Sequence, residues 1–157
     1  KTKITFEVED ATALSFNDDS FDGMIFGFNG LMQIPGRQNR LQAMREAQRL
    51  LRPGSYFVFT THDQSMPKWK KFWAIERKKW REGKQDPKLL EFGDRFEDTA
   101  RGMLYIHVTE VDKLRAELKQ VGFAVEGDFL RSKIANESER TKKYSDECRF
   151  WICRKPI

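Results

Sequence analysis

His62 and Asp63, adjacent at the end of an apolar run, are the residue types best placed for proton transfer. His62 reads as a candidate general base, and a hydrogen-bonded structural role at a strand end is the competing reading. His107 lies inside an apolar strand pattern and reads as structural. The two cysteines, Cys148 and Cys153, are separated by an odd spacing in a strand-like segment, which turns their side chains to opposite faces. That spacing suggests neither a mutual disulfide nor a metal site, and no metal is expected. Asn136-Glu137-Ser138 matches a glycosylation acceptor pattern and, without secretory context, reads as a chance match.

These groups must be carried by regular elements. The run 56–61 is β-branched and aromatic on both faces, so a buried strand is expected there, delivering His62 and Asp63 at its carboxyl end. Residues 22–26 read as a second buried strand. Between the two, Leu41, Met44, Ala47 and Leu51 recur at helical spacing after the Pro35-Gly36 turn, until Pro53-Gly54 stops the helix. Strand, helix, strand in that order predicts a parallel crossover. Ile4, Phe6 and Val8 alternate with Thr5 and Glu7, which predicts a short opening strand over 4–8.

From 67 to 81, Trp69, Phe72, Trp73, Glu76 and Trp80 share one helical face, and lysines and arginines occupy much of the rest. Such a helix can bind a membrane surface or nucleic acid, close a substrate pocket as a lid, or pack on the domain. Its place after a strand's carboxyl end favours packing as a lid. Segments 92–97 and 103–108 are expected to form a hairpin. Thr109 is the expected cap of a helix carrying Val111, Leu114 and Leu118 and ending at Gly122, and strands are expected over 123–130 and 147–154.

At 157 residues, with 39% hydrophobic and 13% aromatic content, the chain has material for one packed domain. Its 29 basic and 24 acidic side chains are interspersed, so no nucleic-acid tail stands out and nucleic acid is not the expected partner. No apolar run approaches the ~20 residues that span a bilayer, and a cytoplasmic protein that does not bind membranes is expected.

Three linked blocks carry a family resemblance: Val8-Glu9-Asp10-Ala11, then Ser20-Phe21-Asp22, then Leu51-Arg52-Pro53-Gly54. Their order and spacing resemble class I S-adenosylmethionine-dependent methyltransferases. The resemblance implies an α/β fold with a Rossmann-like methyltransferase sheet and S-adenosylmethionine as cofactor. It places Asp10 against the adenine amine and the Ala11 N–H against a ring nitrogen, a pairing in which a carboxylate and an amide read both edges of the ring. Beginning a turn is the bland alternative for Asp10. Gly27, Phe28 and Asn29 would line the methionine end, where glycine permits close backbone approach. Asn29 either offers its amide to a ligand or simply tolerates a left-handed turn beside Gly30. Gln33, Asp63, Trp69 and Trp73 are candidates for the acceptor side.

The resemblance also implies a glycine-rich turn and a ribose-binding acid ahead of Asp10, and only nine residues precede it. The chain is therefore expected to be the carboxyl-terminal portion of such an enzyme. Its sheet would be incomplete, the first two strands and their helices being absent, with exposed edges inviting self-association. The expected organisation is a partial cofactor-domain core over 1–63, an inserted aromatic helix and hairpin lid over 64–102, and the rest of the same sheet over 103–157. The implied activity is methyl transfer to a small-molecule acceptor whose identity the sequence does not specify. The alternative is a catalytically inactive remnant serving as a protein or nucleic-acid interaction module.

Overall fold

The computed structural model describes residues 4–144 and 146–157. Its centre is the expected crossover: strand β1 (Phe21–Phe26), helix α1 (Arg37–Leu50) and strand β2 (Leu51–Thr61). β1 and β2 run parallel, with Met24 opposite Phe57 and Phe26 opposite Phe59. α1 forms because Leu41, Met44, Ala47 and Leu50 make an apolar stripe, and all four are buried in the core. The helix stops one residue before the expected Leu51, which is extended and already in β2. Pro53-Gly54 therefore lies inside the strand. The β1–β2 register jumps between Phe21↔Leu51 and Gly23↔Tyr56, and this irregularity accommodates a proline that cannot donate to a ladder.

Helix α2 (Lys70–Arg81), entered through a 3-10 turn at Pro67–Trp69, and a hairpin of β3 (Asp94–Thr99) and β4 (Gly102–His107) follow β2. The chain then returns through helix α3 (Val111–Gln120) and strands β5 (Ala124–Leu130) and β6 (Arg149–Arg154). The main sheet has the order β1-β2-β6-β5, with β6 antiparallel to both neighbours. Gly122, at φ +97°, ends α3 as expected. The polar stretch before β6 contains two short helices, Arg131–Ile134 and Glu139–Tyr144.

The core fills one side of this sheet. Phe57, Phe59 and Trp151 stack there with Phe123, and the Trp151 indole donates to Thr61 Oγ1 at 2.9 Å. These residues cluster with the buried stripes of α1 and α3. On the opposite side, Ile25, Val58 and Ile152 lie in one cross-strand row, and Ile25 is 80% exposed.

Several expectations change. Residues 4–8 form no strand, and Ile4, Phe6 and Val8 are largely exposed, because this segment gains no ladder partner among the described residues. β1 and β2 are not buried on both faces: apolar residues serve the α1/α3 side, and the other face is only partly covered. Thr109 does not cap α3. Glu110 occupies the N-cap position and makes no side-chain cap bond. The segment 103–157 is not wholly part of the main sheet, since β4 pairs with β3 in a separate two-stranded sheet. Hairpin pairing keeps the inserted unit intact through His107, beyond the expected boundary at 102.

Candidate functional site

Two parallel strands that end side by side create a ledge at their carboxyl ends, the usual ligand position in an open α/β sheet. β1 delivers the turn of residues 27–30 there, and β2 delivers Thr60, His62 and Asp63. Phe28 and Asn29 both adopt left-handed backbone, at φ 55° and 54°. Gly30 is required beside them, because a Cβ at that position would lie 2.6 Å from the Phe26 ring. Gln33 donates to the Phe28 carbonyl at 3.2 Å, so it braces this turn. A Cβ at Gly27 would meet nothing within 4 Å, leaving its backbone open to a ligand.

Asn29 has the left-handed backbone of its bland reading, and within this chain its amide meets Thr60 and His62. Oδ1 accepts from Thr60 Oγ1 at 2.6 Å and Nδ2 lies 3.3 Å from His62 Nε2. With Oδ1 committed to Thr60, Nδ2 must be the donor, so His62 Nε2 carries a lone pair and the ring is held neutral. Burial pushes the His62 pKa below its ordinary value. Arg95 and Lys68 add to that shift, and Asp146 and a backbone hydrogen bond at Glu147 oppose it.

His62 and Asp63 do not form an acid–base pair. Asp63 faces the other way, accepting from Ser65 N and Oγ at 2.8 and 2.6 Å and from Arg149 Nε and NH2 at 3.1 and 2.8 Å. Burial alone would raise its pKa. The Ser65 and Arg149 hydrogen bonds outweigh that and hold the carboxyl below its usual range. Successive residues leaving a strand point in opposite directions, which is why adjacency did not become contact.

The loop holding Asp10 and Ala11 is fastened to α1. Arg49 donates to the Leu14 and Phe16 carbonyls at 2.9 and 2.8 Å and pairs with Glu46 and Asp18. Glu46 in turn accepts from Leu14 N at 3.0 Å. Asp10 begins a turn, as its bland reading requires: Oδ1 accepts from Thr12 N and Oγ1, both at 2.8 Å. Asp10 Oδ2 and the Ala11 N–H make no hydrogen bond among the described residues.

The inserted unit walls this ledge and packs against itself. Trp69, Phe72, Trp73, Phe92 and Trp80 form a chain of edge-on rings, and Arg77 covers Phe92. Trp73 is buried, so the aromatic face of α2 is first of all a packing face. A cavity of about 770 Å³ opens between α2 and the start of α3, where Asp63, Trp73, Arg77, Arg115, Asp128 and Arg149 contribute to its walls. Trp69 does not line it.

Sequence reasoning missed a buried polar latch between the insertion and α1. Asp94 accepts from Tyr105 Oη at 2.6 Å, His107 Nδ1 at 2.7 Å, and Leu90 and Glu91 N at 2.8 and 2.9 Å. Burial alone would raise its pKa, but these donors lower it to about 2. Arg40, buried in α1, pairs with Glu91 and donates to the Ile34 carbonyl at 3.1 Å. His107 is structural, as expected. Hairpin pairing sets Asp94 directly opposite His107, because β3 and β4 run on into the expected turn, to Thr99 and from Gly102.

Residues 1–59 match a family model described as a methyltransferase domain. A SAM-dependent methyltransferase from Methanosarcina mazei superposes with a TM-score of 0.73 at 20% identity, over 99% of this chain and 68% of that one. The fold is that of class I methyltransferases. A Burkholderia thailandensis 1,6-didemethyltoxoflavin-N1-methyltransferase, solved with bound 1,6-didemethyltoxoflavin and S-adenosylhomocysteine, shares this methyltransferase fold with a TM-score of 0.56 at 13% identity, covering 94% of this chain and 48% of that one. The [4+2]-cyclase SpnF shares it too, with a TM-score of 0.60 at 17% identity over 97% and 57% of the two chains. The chain thus spans about two thirds of the Methanosarcina protein and a smaller share of the other two. No curated protein matches it. No helix among the described residues is long and apolar enough to cross a membrane.

Proposed function

We propose that this chain is part of an S-adenosylmethionine-dependent methyltransferase acting on a small molecule. The observation that carries the reading is the Thr60–Asn29–His62 hydrogen-bonded chain across the carboxyl ends of two parallel strands. The free Asp10 Oδ2 and Ala11 N–H lie on the loop just before β1 and suit the amine and a ring nitrogen of adenine. The open backbone at Gly27 suits the methionine end. When bound, S-adenosylmethionine supplies a methyl group on a sulfonium.

The chain's own residues then have separable tasks. Asn29 fixes the turn that approaches the cofactor and holds His62 Nε2 unprotonated. His62 is the candidate proton acceptor for a protonated nucleophile, released from Asn29 as the acceptor docks. Trp69 walls the acceptor side, while Asp63 and Trp73 support it from beneath. Alignment for in-line displacement supplies much of the rate, so no covalent catalyst is needed.

Because a related fold hosts a cyclase, the cofactor must be tested on this protein. Calorimetric titration with S-adenosylhomocysteine is expected to give weak but saturable binding that Asp10→Ala and Asn29→Ala each reduce at least tenfold. Binding indifferent to both substitutions would overturn the assignment. The half-open sheet face with Ile25, Tyr56 and Phe129 favours a second reading, an inactive interaction module. Absence of any heat would give that reading precedence.

A further inference from the structure

Arg95, on the first strand of the inserted hairpin, was not among the residues singled out by the sequence. Only about a tenth of its side chain is exposed. Its guanidinium lies 4.8 Å from the Trp69 ring centroid, so the planar group rests on an aromatic face. One nitrogen pairs with the half-exposed Glu97, while its buried Nε has no hydrogen-bond partner among the described residues. An arginine presents its donors as a rigid fork suited to oxyanions, and leaving one donor unused under cover is unfavourable unless something else satisfies it.

The surroundings define what that something is. Arg95 and His62 line one small cavity of about 10 Å³ with Asp63, Trp69, Trp73 and Val108. That is space for a single oxygen-sized group. The Arg95 charge also acts on His62, where it disfavours protonation together with burial and Lys68, against Asp146 and the Glu147 backbone.

We propose that Arg95 recognises a compact oxyanion, a carboxylate or a phosphate, on the methyl acceptor. The inference rests on reading the Asn29–His62 corner as the methyl-transfer site. One anion oxygen enters the small cavity and takes the Nε–H, and the rest of the acceptor lies toward Trp69 and the ledge. Neutralising the guanidinium also removes the charge that disfavours a proton on His62, so docking of the correct acceptor makes His62 a stronger base. Acceptor recognition and proton acceptance are thereby linked through one residue.

The test is nitrogen-15 NMR of the full 157-residue chain, following the Arg95 Nε–H signal, assigned by its loss in Arg95→Lys. Benzoate, phenyl phosphate and neutral benzyl alcohol are the probes. A saturable shift with one or both anions is expected, the preferred anion naming the acceptor class, and the His62 ring should titrate at higher pH in its presence. Followed at the His62 ring, anion binding should weaken at least tenfold in Arg95→Lys and be lost in Arg95→Gln, while Arg101→Gln on the same hairpin leaves it unchanged. The proposal is overturned if neither anion moves the signal, if benzyl alcohol moves it equally, or if Arg101→Gln weakens binding as much as Arg95→Lys. S-adenosylhomocysteine, followed at the Ala11 and Asn29 amides, separates the two readings. An anion response without a cofactor response fails the methyltransferase reading and leaves an oxyanion site. A cofactor response without an anion response fails Arg95 alone.

Discussion

Asn29 Nδ2 lies 3.3 Å from His62 Nε2, joining the turn after β1 to the end of β2. Asn29 pays for this contact with left-handed backbone, so its side chain and its φ angle can be separated by substitution. Asn29→Gly removes the amide but suits the backbone, whereas Asn29→Ala also incurs a left-handed penalty of about 1–2 kcal/mol. Urea unfolding is expected to rank the proteins wild type, Asn29→Gly, Asn29→Ala in falling stability. Equal stability of the two variants would show that backbone conformation at this position is unimportant.

The Arg49 fork should hold the adenine-side loop from a distance. Arg49→Lys cannot reproduce contacts to two carbonyls and two carboxylates, and it leaves buried Glu46 poorly paired. A stability loss of about 1–3 kcal/mol is expected from that unsatisfied group. Calorimetry should show weaker S-adenosylhomocysteine binding as well, although Arg49 is not assigned a ligand contact.

Acid should loosen the insertion through Asp94. Its folded pKa, about 2, is depressed from 3.8, so its stabilising contribution is present above 3.8 and is lost as pH falls toward 2. Asp94→Asn should flatten that part of the stability–pH curve. At neutral pH, Asp94→Ala leaves the Tyr105 and His107 donors without their acceptor, and a loss of about 2–4 kcal/mol is expected. Tryptophan emission from the insertion, followed during denaturation, checks both outcomes.

His62 behaves oppositely to a histidine that gains an acidic partner. Its folded pKa lies below 6.5, so protonation opposes folding, and stability falls as pH drops from 6.5 through the folded value. His62→Gln should remove this slope. NMR titration of the ring gives the folded pKa directly, and Arg95→Gln should move it upward.

The partly uncovered sheet face offers a further readout. Self-association through that face is expected to make the sedimentation coefficient depend on concentration, and Ile25→Lys should suppress the effect. Concentration-independent monomer in the wild type would remove self-association from consideration.

Much of the scaffold was legible because it follows local periodicity. The α1 stripe of Leu41, Met44 and Ala47 and the flanking strands all come from side-chain spacing, and Asp98 to Gly102 correctly suggested a hairpin. The opening strand failed because alternation at Ile4, Phe6 and Val8 can propose a strand but cannot provide a neighbour for its ladder. The left-handed turn at Asn29 was legible from Gly30 beside it. Arg95, Thr60 and Arg149 were not, because their roles depend on partners up to 86 positions away, and no short motif records such a meeting.

Thr61 and Trp151 touch although 90 residues separate them, since β6 fills the place between β2 and β5. A ribosome releases β2 and β5 before the strand that joins them. Until the segment containing Trp151 emerges, the nascent sheet has a gap at its middle, and the Phe57–Phe59 surface has no indole to cover it. Folding of this half of the molecule therefore waits on β6, which closes both of its neighbours' open edges at once.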